Sequence, residues 1–461
     1  MTHRNSHARP RQLHLNVNIL HSGFVPSAWR LEHADPRAFI DVGHYVRVAQ
    51  QAESAKLDAV FLADNAAIAD QIDFRPITAL EPTVLLAAMA AATTHIGLIG
   101  TASTSYNEPY NIARRFASLD LVSGGRVGWN VVTTADLGSA RNFGRDAVPE
   151  HAQRYARAAE FTEVVKALWN SWEDDAFIGD KADGRFVDTA KLHPVAHHGR
   201  FFDVQGPLNL PRSPQGHPVL LQAGGSGDGR ELAGRYAEAV FSAAQTIDES
   251  REYAQDLEAR AARHGRPPVL VLPGLTTIIG ATEAEALRRR DELVDLIPWR
   301  YSLNRLAGTL GIAADRLKLD EPLPDDLALP GGGNGNHTFF QATITYARHH
   351  GHTVRTLIRS LAGGGGHRVV VGTPEQIADD IEQWFNAGAA DGFNLMPDVL
   401  PDGLQAFTDG VVPILQRRGL FRREYDGSTL REHFGLSVPP SPHRVEQTQA
   451  QAARATRAAA V

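Results

Sequence analysis

Eight short apolar runs divide this chain, and each is followed by a stretch whose apolar residues recur at helical spacing. The runs lie at 13–20, 59–64, 96–104, 127–132, 218–223, 239–243, 269–280 and 392–396. Runs of this length suit strands buried on both faces, the condition that a parallel sheet with helices outside imposes. Eight strand–helix units are the number that closes a (β/α)8, or TIM, barrel, so the expected fold class is α/β, a TIM barrel with insertions. An open doubly wound sheet is the alternative. The absence of a Gly-x-Gly-x-x-Gly turn after the first run weighs against it.

The stretch 119–134, Leu-Asp-Leu-Val-Ser-Gly-Gly-Arg-Val-Gly-Trp-Asn-Val-Val-Thr-Thr, organises the rest. Phe116, Leu119 and Val122 share a helical face. Gly124 and Gly125 can take the left-handed backbone that ends a helix. Val127, Trp129, Val131 and Val132 then suit a buried strand. The residues 12–420 read as one barrel with insertions near 174–217 and 315–366. The second insertion carries glycine runs at 331–333 and 363–366 and reads as an irregular loop or a lid. The residues 421–461 read as a C-terminal extension, partly disordered.

Composition narrows the function classes. With 461 residues and 43% hydrophobic content, the chain can bury a large core. A net charge of −7 gives no electrostatic case for nucleic acid or an anionic membrane. Cysteine is absent, which excludes disulfides, thiolate metal sites and a cysteine nucleophile. No run of some ~18 apolar residues marks a membrane span. The first eleven residues lack the apolar centre of a signal peptide. A cytoplasmic protein is expected.

In a barrel of this kind the strand C-termini and the loops after them build the site. The polar residues there are His21, Asp64, Ser103, Thr104, Asn130 and Ser226. Each alone is also what an ordinary strand cap looks like. Gly224-Gly225-Ser226-Gly227 opens a helix and offers free N–H groups, a helix dipole and a hydroxyl to a phosphate; a simple tight turn is the other reading. His151 and Tyr155 stand four apart on one helix face.

Ser-Gly-Gly-Arg-Val-Gly-Trp-Asn-Val-Val-Thr-Thr resembles the signature of the bacterial-luciferase-like flavin monooxygenases, in the branch of nitrilotriacetate, dibenzothiophene-sulfone and long-chain alkane monooxygenases. Further matching pieces are Phe61-Leu62-Ala63-Asp64, the run 107–116, Gln222-Ala223-Gly224-Gly225-Ser226 and the run 366–374. The resemblance implies a barrel binding FMN at its C-terminal mouth. Carried over position by position, the flavin contacts are Asp64, Ser103 or Thr104, Asn130, His151, Tyr155, Ser226 and the Gly227 N–H. It implies FMNH2 supplied by a separate NAD(P)H:flavin reductase. Reaction with O2 at C4a would give a (hydro)peroxide that passes one oxygen atom to a small organic substrate. His21 and His367 are the candidates for hydrogen bonding or proton transfer beside that oxygen, since imidazole titrates near neutrality. The family also implies a homodimer or homotetramer.

Two rival readings come from other classes. A metal-dependent barrel hydrolase needs converging His and carboxylates, and the strand ends offer only His14, His21 and Asp64. The runs His197-His198 and 349–352 lack a compact metal spacing, so no metal is assigned. A luciferase-like flavin-binding protein without oxygenase activity is the other. The substrate is not legible, because its walls come from the insertions.

Overall fold

The computed structural model describes residues 11–68, 72–78, 80–328, 337–361 and 366–443. The glycine runs 331–333 and 363–365, the first ten residues and the tail from 444 lie outside the described residues. The eight expected strands are present: His14–Asn18, Ala59–Leu62, Gly97–Ser103, Val127–Val132, Val219–Gln222, Ala239–Ser242, Leu270–Ile279 and Gly392–Pro397. Each pairs in parallel with the next, and the last pairs with the first, so the sheet closes into a barrel.

A further strand, Arg368–Gly372, lies outside the barrel. Its cause is the length of the seventh barrel strand. Residues Leu270 to Pro273 of that strand pair with Ala239 to Ser242; beyond Pro273 its edge is taken by Arg368 to Gly372. The β-branched run Val369-Val370-Val371 supplies strand preference, but the eight-unit count left it without a role.

Side chains alternate across each strand. Leu13, Leu15 and Val17 join the helix-facing core, so Asn16 and Asn18 point into the barrel. Trp129 also faces outward. It packs against Phe116, Phe161 and Trp169 and donates its indole N–H to the Ala102 carbonyl at 3.1 Å. Asn130, its neighbour, is thereby directed inward. Gly124 and Gly125 adopt φ of 71° and 93°, ending the helix Pro109–Val122 as the sequence requires. Arg126 follows, fully buried, and donates to the carbonyls of Ala90, Thr93, Ile96 and Ser123. It thus holds the end of the helix Pro82–Ala92, whose terminal carbonyls lack helical partners, against the third and fourth strands.

Residues 421–443 pack beneath the barrel. Leu430 and Phe434 cluster with the inward residues Ala59, Ile99, Val219 and Ala239. A Cβ on Gly97 or Gly128 would run into the Leu430 side chain. Two ion pairs fix this floor: Arg422 to Asp58 at 2.6 Å, and Arg431 to Glu238. Asp58 also holds His14 at 3.0 Å and the Leu15 N–H at 2.7 Å.

The stretch 315–366 is not irregular throughout. It contains the helices His337–His350 and Val354–Ser360. With Trp299–Leu310 they form a separate small core of Leu306, Leu310, Phe340, Ile344, Leu357 and Ile358. The glycine runs mask this helical spacing in the sequence. The insertion 174–217 holds two hairpins, Phe177–Asp180 with Arg185–Val187 and His197–His198 with Asp203–Val204. The closing helix is interrupted by a wide turn at Phe407–Val411, just before Pro413, whose ring cannot supply the regular helical N–H. No helix among the described residues is long and apolar enough to cross a membrane.

Candidate active site

Because all barrel strands run parallel, the residues after their C-termini share one rim. Asp64, Ser103, Asn130 and Ser226 belong to four consecutive strands and the loops that follow them, and so occupy one arc of it.

Ser226 caps the helix Gly227–Tyr236. Its Oγ accepts the Gly229 N–H at 3.1 Å, which leaves its own O–H available to an anion. The turn before it is braced from three sides. Gln222 Oε1 accepts the Gly224 N–H at 2.7 Å, the Tyr253 hydroxyl donates to the Gly224 carbonyl at 2.9 Å, and the Arg230 Nε donates to the Gly225 carbonyl at 3.0 Å. The backbone at Gly224 is packed so closely that a Cβ would meet Gln222 and Gly229, whereas Gly227 faces open space. A rigid turn with outward N–H groups at a helix start is suited to phosphate. His151 opens the helix His151–Trp169 across from it, its Nδ1 at 2.9 Å from Asp228 Oδ2 and its ring 4.7 Å from that of Tyr155.

These groups open on a cavity of about 690 Å³. Its lining includes His151, Ser226, Gly227, Arg230, Phe241, Tyr253 and His367, with Phe339 and Gln341 reaching in from the helix His337–His350. His367 is stacked on Phe241 and met edge-on by Phe339 and Phe24. Its Nδ1 is buried and has no partner among the described residues. Burial pushes this imidazole down to about 3, so it is neutral at ordinary pH.

A second cavity of about 500 Å³ is lined by Asp64, Ser103, Tyr106 and Asn107. Burial, with Glu81 nearby, raises the Asp64 carboxyl above its usual range. Ser103 Oγ accepts from the Thr134 hydroxyl at 2.6 Å. Thr104 is turned away: it is buried and its hydroxyl donates to the Val132 carbonyl at 3.0 Å. Asn130 is 4% exposed. Its Nδ2 donates to Thr101 Oγ1 at 2.9 Å and its Oδ1 has no partner among the described residues.

His21 follows the first strand with φ of 33°, a left-handed backbone rare for a side chain of this size. Its carbonyl accepts from His44 Nε2 at 2.8 Å. Burial, aided by the charge of Arg75, lowers its imidazole to about 3. Backbone held in such a region concentrates at functional sites.

The structure therefore brings Ser226, Gly227, His151 and His367 onto one cavity and Asp64 and Ser103 onto its neighbour along the rim. Phe241, Tyr253, Arg230, Phe339 and Gln341 were not identified from the sequence. Phe241 reads as core within an apolar run, and only strand parity shows that it points inward. Phe339 and Gln341 lie in the stretch taken as irregular. Among the described residues no group of three or more His, Asp or Glu side chains is placed to hold a metal.

A closed parallel barrel with a helix start and an aromatic-walled cavity together at one mouth is an architecture suited to binding a phosphorylated cofactor. The chain belongs to the luciferase-like monooxygenase family, whose model matches residues 23–391. It is 46% identical to nitrilotriacetate monooxygenase component A of Aminobacter aminovorans, over 93% of this chain and 97% of the relative. Among solved structures, EDTA monooxygenase from Chelativorans sp. BNC1 superposes with a TM-score of 0.81 at 37% identity, covering 94% of this chain and 100% of that one. Riboflavin lyase with modified FMN superposes with a TM-score of 0.80 at 32% identity, covering 93% of this chain and 97% of that one. The chain is a flavin-dependent monooxygenase by family.

Proposed function

We propose that this protein is the oxygenase component of a two-component system. It takes FMNH2 from a separate NAD(P)H:flavin reductase and inserts one oxygen atom of O2 into a small organic substrate. One observation carries the reading: the Ser226–Gly227 helix start and the aromatic box around His367 line the same cavity. The phosphate would sit at the first and the reaction at the second.

The fit of the residues to FMN rests on four features. Gly227 is the first residue of the helix Gly227–Tyr236, so its N–H has no intrahelical partner. Asn130 Oδ1 is a buried acceptor lacking a donor among the described residues, suited to an N–H on the ring's polar edge. Asp64 and Ser103 would hold the far side of the ring, with Ser103 and not Thr104 presenting its hydroxyl. His151 and Tyr155 would bound the phosphate end. Bound reduced flavin supplies the activation of O2. The chain's own contribution is to orient the ring, exclude water, and hold the oxygen side with neutral imidazoles at His21 and His367. The relative named component A supports the separate reductase.

The test is turnover under 18O2 with NADH, FMN and a flavin reductase, across carboxylates, sulfones and alkanes. One labelled oxygen in a product supports the proposal. Hydrogen peroxide as the sole fate of oxygen with every compound overturns it.

A further inference from the structure

Several polar side chains inside the barrel are partnered by the protein: Asn130 donates to Thr101, and His14 is held by Asp58. One row of them is not. Asn16 on the first strand and Asn394 on the last are both fully buried. Among the described residues neither amide has a partner for its nitrogen or for its oxygen. Burying an unbonded amide is costly.

The two amides are neighbours. Asn16 is paired with Asn394 across adjacent parallel strands, and Asn394 is paired in turn with Gly274 of the seventh strand. Residues paired in this way leave the same face of the sheet from strands about 4.8 Å apart. That face is the barrel interior, because Leu15, Val17, Leu275, Phe393 and Leu395 take the helix side. A Cβ on Gly274 would run into His367 Nδ1. The glycine thus leaves its place in the row to that nitrogen, which is itself buried and without a partner among the described residues. Thr276 Oγ1, one step nearer the rim on the same face, is in the same condition. On the far side the row ends at Ala59, paired with Asn16, so small residues flank the two amides and leave room between them.

Neither asparagine lines the 690 Å³ cavity or the one beside it. His367 and Phe241 do, and their stacked rings, 4.9 Å apart, stand between that cavity and the row. A flavin or an organic substrate therefore does not supply the missing bonds. A buried water does so where about two to four polar groups converge on it.

We propose that the barrel interior holds an ordered water bonded to Asn16, Asn394 and His367 Nδ1, and that the two asparagines are positioning residues that fix the His367 ring from behind through it. The ring's Nε2 is then left to the cavity. The water site stands without the flavin reading, whereas its effect on turnover rests on that reading.

The test is a crystal structure of the flavin-free protein at a resolution that shows ordered water, together with 15N spectra of histidine-labelled protein in which H367F assigns the His367 resonances. Water density within hydrogen-bonding distance of all three groups is expected. N394L should remove it and shift the His367 Nδ1 resonance. Product formed per NADH should fall by about tenfold, the lost turnover appearing as hydrogen peroxide, while FMN affinity holds. N394S, which keeps a hydroxyl and leaves room for water, should recover most of the loss. Direct bonding of the asparagines to each other or to His367, with no water between them, would overturn the proposal. So would an unmoved His367 resonance in N394L, or unchanged coupling in N394L beside an active parent. Should N394L fail to fold, the parent's density and N394S decide. Water in place and a shifted resonance, with no compound turned over by the parent, would instead count against the oxygenase reading alone.

Discussion

The imidazole of His367 lies flat against the ring of Phe241, with centres 4.9 Å apart and planes 13° from parallel. Phe241 comes from the sixth barrel strand, and His367 immediately precedes the outer strand. A Cβ on Gly274, between them, would strike both rings. The stack thus depends on a glycine in the seventh strand, and it fixes a neutral imidazole at the cavity wall.

H367F should keep the stack and lose the ring nitrogens. Product formation should fall by about a hundredfold, a typical magnitude for a positioned proton-transfer or hydrogen-bonding group. Flavin affinity should persist, and the lost turnover should appear as hydrogen peroxide. Because burial holds the ring near 3, the pH–rate profile of the parent should show no step from this group between pH 5 and 9. Unchanged coupling of NADH to product in H367F would remove His367 from the chemistry.

Ser226→Ala deletes both the helix cap and a phosphate donor. FMN should bind about tenfold more weakly, whereas riboflavin, which has no phosphate, should bind as before. The cap loss should destabilise the protein by about 1 kcal/mol. Flavin fluorescence titration and denaturant unfolding separate the two effects. An equal loss for both flavins would place the phosphate elsewhere.

Leu430→Ala should lower stability by about 2–5 kcal/mol, since a fully buried leucine is removed from a floor that rigid glycines cannot refill. The flavin dissociation constant should not move, because the floor lies at the opposite end of the barrel from the rim. Urea midpoints and flavin titration on the same preparation report both.

Stability should fall as the solution is acidified below about pH 6.5. His21, His217 and His367 are each held near 3 by burial, whereas an unfolded chain protonates histidine near 6.5. Between those values the unfolded state binds more protons, so stability falls as pH drops through the window. Asp120 opposes this. Its carboxyl is raised from 3.8 to about 6, so its contribution is present at low pH and is lost as pH rises toward 6. Three histidines against one carboxyl leave a net uptake of about two protons on unfolding, on the order of 2–3 kcal/mol per pH unit. Urea midpoints that stay flat from pH 7 to pH 5 would contradict the burial of these rings.

The barrel was legible because its strands are continuous apolar runs, a pattern that neighbouring helices enforce on both faces. The Gly124–Gly125 stop and the inward turn of Asn130 follow from local backbone rules. The outer strand at Arg368–Gly372 was not legible, since its place depends on how far the seventh strand overshoots its neighbour. Nor was the Leu430 plug, because a short amphipathic helix near a C-terminus carries no mark of what it will fill. At the site, Ser226 and His367 stand out by residue type and by the motifs around them. Phe241 and Tyr253 do not, since aromatic residues in apolar runs or on helices read as core.

The central claim is that one flavin spans the arc from Ser226 to Asp64. The most direct measurement is a crystal structure of the protein grown with FMN and reduced with dithionite. The account predicts phosphate density against Ser226 Oγ and the Gly227 N–H, with the ring between Asn130 and Asp64. Flavin density at the barrel floor, or outside the arc bounded by these residues, would contradict it.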